Sequence, residues 1–178
     1  DVTVKVIDLD DWKYSMDLTL KYTGNGDVSD ATKPGQGSVT YSAGNNSYPG
    51  TRAFDDKGNV TQGRWLANKP TSSNPTWIKY DFTQGEKIIE YTVQAQSYNF
   101  AQRGPKDWTL QGSNDNSNWT TLDTVAGETS WTRWQTRTYT PDSVGEYRWY
   151  KLVFTDNNGD NTLGIGEIEL KVRKGLYG

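Results

Sequence analysis

Residues 108–115 (WTLQGSND), followed by residues 119–122 (WTTL), form the stretch of this sequence that decides its fold. Apolar and polar residues alternate in both runs, which is the period of a β-strand with one buried face. The Gly, Ser, Asn and Asp residues between the runs favour a tight turn. Residues 148–154 (RWYKLVF) and 166–170 (GEIEL) extend the strand-like pattern toward the end of the chain. This third of the sequence therefore predicts an all-β architecture.

The first part of the chain is shorter and different in composition. Residues 2–8 and 15–22 alternate apolar and polar side chains and predict two strands, with residues 10–12 in their connection. Residues 23–37 are rich in Gly, Asn, Asp and Ser, which predicts a loop or linker. We therefore expect residues 1–37 to form a short N-terminal β appendage, the remnant of a neighbouring domain.

The larger part, residues 38–178, carries a series of strand candidates separated by turn signals at short intervals. No segment keeps an apolar period of 3.6 residues over three turns, so no long helix is expected. Closely spaced strands of this kind are typical of a β-sandwich or barrel. The candidates are residues 38–42, 76–82, 86–98, 107–113, 118–125, 131–139, 147–155 and 165–172.

Composition narrows the possible functions. Only 33% of the 178 residues are hydrophobic, but eight Trp and eleven Tyr can supply a core, because each large ring buries about 150–250 Å². The absence of Cys excludes disulfides and thiolate chemistry. A net charge of −3 without a basic block argues against a nucleic-acid partner. No apolar run approaches the roughly 20 residues of a membrane span. The chain starts without a signal peptide, so we expect part of a larger multidomain protein.

Several motifs, taken in order, resemble one known family over roughly residues 38–173. They are a small residue, Phe and Asp before a loop that ends in Arg-Trp, then a Trp-Ile-x-Tyr-Asp-Phe strand, a central strand and a closing strand. This order resembles the discoidin, or F5/8 type C, family, whose sugar-binding members form carbohydrate-binding module family 32. The loop from Asp56 to Arg64 is longer than is usual there. The motifs are residues 47–56 (SYPGTRAFDD), 63–66 (GRWL), 76–82 (TWIKYDF), 103–115 (RGPKDWTLQGSND) and 167–170 (EIEL).

The resemblance implies a jelly-roll β-sandwich that binds a carbohydrate through loops at one end. The chain has no His, so its loops offer aromatic rings, Arg forks and Asn amides as sugar ligands. Arg103 is equally compatible with a structural role beside Asp107 or a backbone carbonyl, and residues 98–100 with the end of a strand. The ligand-binding candidates are Tyr48, Tyr98, Asn99, Phe100, Arg103, Asn157, Asn158 and Asn161.

The resemblance also implies one structural calcium ion between the loop after Phe54 and the Glu that opens the last strand. Calcium takes six to eight oxygen ligands, many of them backbone carbonyls, which a loop rich in Gly, Asn and Thr can offer. The alternative is a solvated acidic turn. The implied ligands are the carboxylates of Asp55 or Asp56 and of Glu167, with carbonyls of Ala53, Asn59, Thr61 and Gly166.

A second acidic segment, residues 156–161 (DNNGDN) with Glu167, approaches the spacing of an EF-hand loop. Asn161 occupies the position that needs Gly, and the flanking segments are strand-like rather than helical. We therefore interpret this segment as a polar loop that joins the last two strands.

The aromatic residues divide by context. Those in or beside strand segments are expected in the core, together with Phe54: Trp65, Trp77, Trp108 and Trp119. Others lie in polar or turn-like sequence and are candidates for exposure, with burial in a core or interface equally open: Trp12, Trp131 and Trp134.

Two other functional classes compete with sugar binding. A glycosidase needs paired carboxylates, but the nominal pairs Asp55/Asp56 and Asp156/Asp160 lie in turn-rich loops, so we expect no enzymatic activity. An adhesion module that binds a protein or a phospholipid head group through the same loops is the alternative function. The sequence thus predicts a non-catalytic carbohydrate-binding module, secreted or at a bacterial cell surface, within an adhesin or a glycoside hydrolase.

Overall fold

The computed structural model describes the backbone of residues 2–7 and 15–20, and residues 27–173 with their side chains. Strands β1 (Val2–Ile7) and β2 (Ser15–Leu20) pair antiparallel, as the alternation predicts. They belong to one compact unit, and a second compact unit begins at Val28. The connection predicted at residues 10–12 lies outside the described residues.

The described part of the second unit folds into two antiparallel five-stranded sheets, which confirms the predicted all-β sandwich. The strands are β3 (Val28–Asp30), β4 (Ser38–Tyr41), β5 (Trp65–Asn68), β6 (Thr76–Lys87), β7 (Glu90–Ala95), β8 (Pro105–Ser113), β9 (Thr120–Val125), β10 (Thr136–Tyr139), β11 (Glu146–Asn157) and β12 (Thr162–Arg173). One sheet has the order β10-β7-β12-β3 with β5 also paired to β12, and the other has the order β4-β6-β11-β8-β9. Two short helices join strands: a 3-10 helix, Gly50–Phe54, and α1, Phe100–Arg103.

Aromatic rings fill much of the core between these sheets. Trp65, Trp108 and Phe54 are buried, as predicted from their strand and motif positions. Hydrogen bonds satisfy the polar atoms of two of these rings: Trp108 Nε1 donates to the Tyr91 hydroxyl at 3.1 Å, which donates to Asp123 Oδ2 at 2.6 Å. Such satisfied polar atoms let large rings be buried without the free-energy penalty of an unpaired donor.

The structure corrects two of the tryptophan predictions and decides two that the sequence left open. Trp77 and Trp119 are only partly buried. Trp77 alternates with the inward-facing Ile78 and lies on the outer face of the sheet. Trp131, a candidate for exposure, is only 2% exposed, and its Nε1 donates to the Pro105 carbonyl at 2.8 Å. Trp134 is half-buried, whereas Trp12 lies outside the described residues.

Some element boundaries also differ from expectation. The segment predicted as linker contains β3, which pairs with the end of β12, so the compact unit starts at Val28 rather than at Ser38. Strand β5 begins at the Trp of the Arg-Trp motif and was missing from the strand candidates. The single candidate at 86–98 is divided between the end of β6 and β7, and the candidate at 131–139 shrinks to β10. Strands of three or four residues show too little periodicity to be recognised in isolation.

Strand registers bring four connections to one end of the sandwich. Strand β4 ends beside the start of β6, and β11 ends beside the start of β8. In the other sheet, β5 and β7 both end beside the start of β12. Backbone hydrogen bonds join these connections, from Lys69 N to the Asn161 carbonyl at 3.0 Å and from Asn158 N to the Gly104 carbonyl at 3.2 Å. We call this the loop end.

Candidate functional site

The loop end holds an open cleft of about 660 Å³. Its walls come from the connection after β4, from β5, from α1 and from the start of β12. Polar groups dominate the lining, which suits a hydrated ligand with many hydroxyl groups. The lining residues are Ser42, Ala43, Gly44, Asn45, Leu66, Ala67, Asn68, Arg103 and Thr162.

Arg103 lies between this cleft and an exposed aromatic ring. Its guanidinium carbon lies 5.5 Å from the centroid of the Tyr98 ring, and Tyr98 is 65% exposed. Arg103 Nε lies 3.3 Å from Asp160 Oδ2, and the Asn99 amide donates to the same carboxylate oxygen. Asp107 instead accepts a hydrogen bond from Gly127 N at 2.7 Å. The structural partner of Arg103 is therefore Asp160, and the ion pair holds the guanidinium at the cleft.

The predicted asparagines of the β11–β12 connection have different environments. Asn157 is buried and donates to the carbonyls of Asp160 and Thr162 at 3.0 and 2.9 Å. Asn158 donates to the carbonyls of Gly104 and Glu128 at 3.0 and 3.1 Å. Both amide groups are thus used to hold the loop end together, whereas Asn161 is exposed.

The two remaining ligand-binding candidates are partly buried. Phe100 packs against the core from the first turn of α1. The Tyr48 ring lies between two guanidinium groups, with Arg64 at 4.2 Å and Arg52 at 5.5 Å from its centroid. Arg64 Nη1 also lies 3.4 Å from Ser97 Oγ, next to Tyr98. The structure therefore places Tyr98, Asn99 and Arg103 together, and Tyr48 near them.

Sequence reasoning missed several polar residues of the cleft: Asn45, Asn68, Thr162 and the ion-pair partner Asp160. Asn68 and Thr162 are partners in the β5–β12 ladder, so they meet only when that pair forms. Asn45 carried a weak signal, because it belongs to the Gly- and Asn-rich connection before the first motif.

The candidate metal site centres on Glu167, which is only 7% exposed. Burial, with the nearby carboxylates of Asp55 and Asp56 acting in the same direction, raises the pKa of Glu167 to about 8. Its Oε2 accepts a hydrogen bond from Lys57 N at 3.1 Å, but its Oε1 is buried without a hydrogen-bond partner. Burial also raises the pKa of Asp55. This environment favours an added positive charge.

Gln94 faces the same site and was not predicted from the sequence. Its Nε2 donates to Asn59 Oδ1 at 3.1 Å and to Thr136 Oγ1 at 3.0 Å, which leaves Oε1 buried and unpartnered. Gly58 lies against both side chains, since a Cβ there would come within 2.0 Å of Gln94 Oε1 and 2.7 Å of Glu167 Cβ. Two oxygens without partners thus lie beside a loop that only Gly allows to approach so closely.

The other implied metal ligands fit this site unevenly. Asp56 lies 3.6 Å from Lys33 Nζ, Asp55 Oδ1 accepts from Lys57 N at 3.0 Å, and the Thr61 carbonyl accepts from Arg64. Ala53 and Gly166 are buried. Within residues 27–173, no three acidic, His or Cys side chains converge closely enough to hold a metal. A calcium ion here would therefore depend on backbone carbonyls beside Glu167.

The segment with EF-hand spacing, residues 156–161, joins the end of β11 to the start of β12. The prediction that strands rather than helices flank it is confirmed. Asp156 pairs with Lys106 Nζ at 3.0 Å, which lowers the pKa of Asp156, and Asp160 pairs with Arg103. These carboxylates hold strands and loops together rather than converging on one point.

Comparison with known proteins gives one curated relative and several solved structures. A peptide-N(4)-(N-acetyl-beta-glucosaminyl)asparagine amidase from Arabidopsis thaliana is 30% identical over 127 residues, which are 67% of this chain and 17% of that protein. The chain thus spans about a sixth of that relative's length.

Among solved structures, CpGH89CBM32-5 from Clostridium perfringens, in complex with GalNAc-beta-1,3-galactose, has a TM-score of 0.64 at 16% identity, covering 81% of this chain and 99% of that one. The chitosan-binding module 1 derived from a chitosanase/glucanase of Paenibacillus sp. IK-5 has a TM-score of 0.63 at 17% identity, covering 80% of this chain and 98% of that one. Both share the fold of this chain.

The sequence itself matches the F5/8 type C domain over residues 36–168. The described residues include no helix with the length and apolar character needed to cross a membrane. The match covers the motifs quoted above as far as Ile168, both sheets apart from β3 and the end of β12, and the loop end with its cleft. This chain belongs to the F5/8 type C domain family.

Proposed function

We propose that this domain binds a carbohydrate without catalysis, through the cleft at the loop end. The observation that carries the proposal is the arrangement of Tyr98, Arg103 and the cleft: an exposed ring beside a fixed guanidinium at the rim of a polar depression. A pocket with one apolar face and a few converging polar groups is typical of small-molecule recognition.

The chemistry of these groups matches a sugar. The C–H face of a pyranose stacks on an exposed aromatic ring, and Tyr98 offers such a ring. Arg103 supplies several donors in a fixed fork, and the amides of Asn45 and Asn68 supply both donors and acceptors for hydroxyl groups. Because Asp160 already orients Arg103, little side-chain freedom is lost on binding. The C. perfringens structure of the same fold, solved with GalNAc-beta-1,3-galactose, supports this class of ligand.

A non-catalytic role follows from how the carboxylates of the loop end are used. Asp156 and Asp160 are each engaged by a basic side chain, and Asp160 Oδ1 also accepts from Thr162 N at 2.9 Å. Neither is free to act as the acid or base that glycoside hydrolysis needs. The match covers only 17% of the amidase of A. thaliana, and we propose that this chain serves as a binding module of a larger protein. We also propose that this protein is secreted or lies at a bacterial surface.

We also propose that a structural calcium ion binds beside Glu167. The residues that would hold it are Glu167 through Oε1, Gln94 through Oε1, and carbonyls of the loop that includes Gly58. Calcium prefers oxygen ligands of this mixed kind, and the two buried oxygens without partners would be satisfied by it. The ion would supply positive charge and tie this loop to β12.

The test of sugar binding uses Tyr98→Ala, because the exposed Tyr98 ring adds little to folding. A glycan array followed by calorimetry on the best ligand should show Kd rising roughly tenfold or more, as for an aromatic binding hot spot, with Tm unchanged. Val144→Ala, which removes another exposed apolar side chain, should bind normally. A flat glycan array, together with binding to a protein receptor or to anionic liposomes, would favour the adhesion function instead.

The test of calcium uses thermal unfolding with calcium or with a chelator. Calcium at about 100 times its Kd should stabilise the fold by roughly 2.7 kcal/mol, because it binds only the native state. Glu167→Gln should abolish this response, whereas Glu146→Gln, at an exposed site, should retain it. Equal melting of the wild-type protein in calcium and in chelator would refute the proposal.

A further inference from the structure

A second depression lies on the outer face of the sheet β4-β6-β11-β8-β9. It has a volume of about 280 Å³ and shares none of its lining residues with the cleft at the loop end. Two Trp rings and two Lys side chains dominate it, which is an unusual density of aromatic and basic groups in a chain of net charge −3. We call it the sheet-face site, formed by Trp77, Lys79, Asn116, Trp119 and Lys151.

The two lysines of the sheet-face site repel each other. Lys79 on β6 is the direct cross-strand partner of Lys151 on β11. Like charges placed directly opposite on neighbouring strands destabilise a sheet. Burial, and secondarily the charge of Lys79, lower the pKa of Lys151. The free protein therefore holds two ammonium groups close together at the expense of stability.

No carboxylate neutralises this pair in the described part of the chain. Among residues 27–173, neither Lys79 nor Lys151 forms an ion pair with a carboxylate. Lys79 Nζ donates to Asn116 Oδ1 at 2.6 Å, a neutral acceptor. Asp81, two residues from Lys79, is already paired with Arg148 through two contacts of 2.9 and 3.0 Å. The positive charge of the sheet-face site is thus available to an external anion.

The two Trp rings flank this charge. Lys151 Nζ lies 3.9 Å from the centroid of the Trp119 ring, and Lys79 Nζ lies 5.9 Å from that of Trp77. Both rings are only partly buried, so part of each remains accessible. Accessible rings beside a pair of cations offer one surface for a C–H face and another for an anionic substituent.

We propose that the sheet-face site binds an acidic saccharide, with a carboxylate or sulfate group held between Lys79 and Lys151 and the sugar ring against Trp119 or Trp77. This site is separate from the loop end and goes beyond the function proposed above. The depression is slightly smaller than the usual range for a drug-sized ligand, so it accommodates about one sugar unit. Because it is open on the sheet face, a longer chain can continue across it.

The experiment compares binding of three oligosaccharides of equal length: an oligogalacturonate, its methyl-esterified neutral analogue and a sulfated oligosaccharide. The wild-type protein should bind an acidic oligomer in preference to the neutral one, with affinity falling as salt is added. Whichever acidic oligomer binds identifies the anion as carboxylate or sulfate. Lys151→Gln and Trp119→Ala should each weaken this binding about tenfold.

Lys87→Gln is the control, because it removes one exposed positive charge from β6, the strand that carries Lys79. It should leave binding of the acidic oligomer unchanged. Equal loss in Lys87→Gln, equal affinity for the neutral oligomer, or equally tight binding of polyglutamate or anionic vesicles would overturn the proposal. Failure of the loop-end function would instead appear as an unchanged Kd for neutral sugars in Tyr98→Ala.

Discussion

At the scale of single residues, Asp81 shows how one partly buried ion pair organises a strand. Its carboxylate accepts from Arg148 through both oxygens, and Oδ1 also accepts from Thr83 N at 2.7 Å. Thr83 has a positive φ of 66°. The register between β6 and β11 shifts at this point, between Tyr147 and Trp149. Asp81 thus stabilises an irregular part of the ladder.

The Asp81 pair predicts a defined pH dependence. Hydrogen bonds from Arg148 hold the pKa of Asp81 below its ordinary value of 3.8. The stabilisation is therefore complete above about pH 4 and is lost as pH falls through the lower, folded-state pKa. Asp81→Asn should lower the free energy of unfolding at about pH 7 by about 0.5–1 kcal/mol, and the difference from wild type should shrink at about pH 2.

Urea denaturation at both pH values measures this difference. Asp142→Asn, which changes an exposed aspartate, is the control and should have little effect at either pH. A difference that does not change with pH would show that Asp81 acts through its turn with Thr83 and not through its charge.

At the scale of elements, β3 extends the sheet at the end of β12. Its three residues pair with Lys171, Val172 and Arg173. Immediately after it, Ala31 N donates to the Leu170 carbonyl at 2.9 Å, and Leu170 N donates to Thr32 Oγ1 at 3.3 Å. Thr32 is 2% exposed and Leu170 is fully buried. This short segment satisfies backbone groups that would otherwise be left unpaired.

Truncation tests this role of β3. A chain that lacks residues 1–37 should unfold at a lower temperature than one that lacks residues 1–27, because only the first loses the pairing with β12. Two or three net backbone hydrogen bonds correspond to about 2 kcal/mol, which is a shift of roughly 4–8 °C in a domain of this size. Calorimetry of the two chains measures it. Identical Tm values would show that β12 does not need β3.

At the scale of the whole molecule, the two proposed sites use different parts of the same sandwich. The loop end joins connections from both sheets, so its cleft can change in shape when loop residues change, while the core stays the same. The sheet-face site is built on strands, whose ladder fixes the separation of Lys79 and Lys151. A domain with both could hold two parts of one polysaccharide, which would raise its overall affinity by multivalency.

Much of this arrangement could be predicted from local sequence. Alternation at residues 108–115 and 148–154 predicted β8 and β11, and Trp108 and Trp65 are buried as their contexts indicated. The motif order predicted the family. By contrast, alternation alone does not say which of two adjacent residues faces inward: Trp77 was predicted in the core, whereas its neighbour Ile78 is the buried residue.

The sequence by itself determined the all-β class, the family and the polar character of the loop end, because these depend on residue type and on spacing along the chain. Only the tertiary structure decided which residues meet: Arg103 with Asp160, Gln94 with Glu167 in the β7–β12 ladder, and Lys79 with Lys151. Each of these pairings joins residues far apart in sequence. Strand register and loop packing set their distances, and neither is encoded in any single segment.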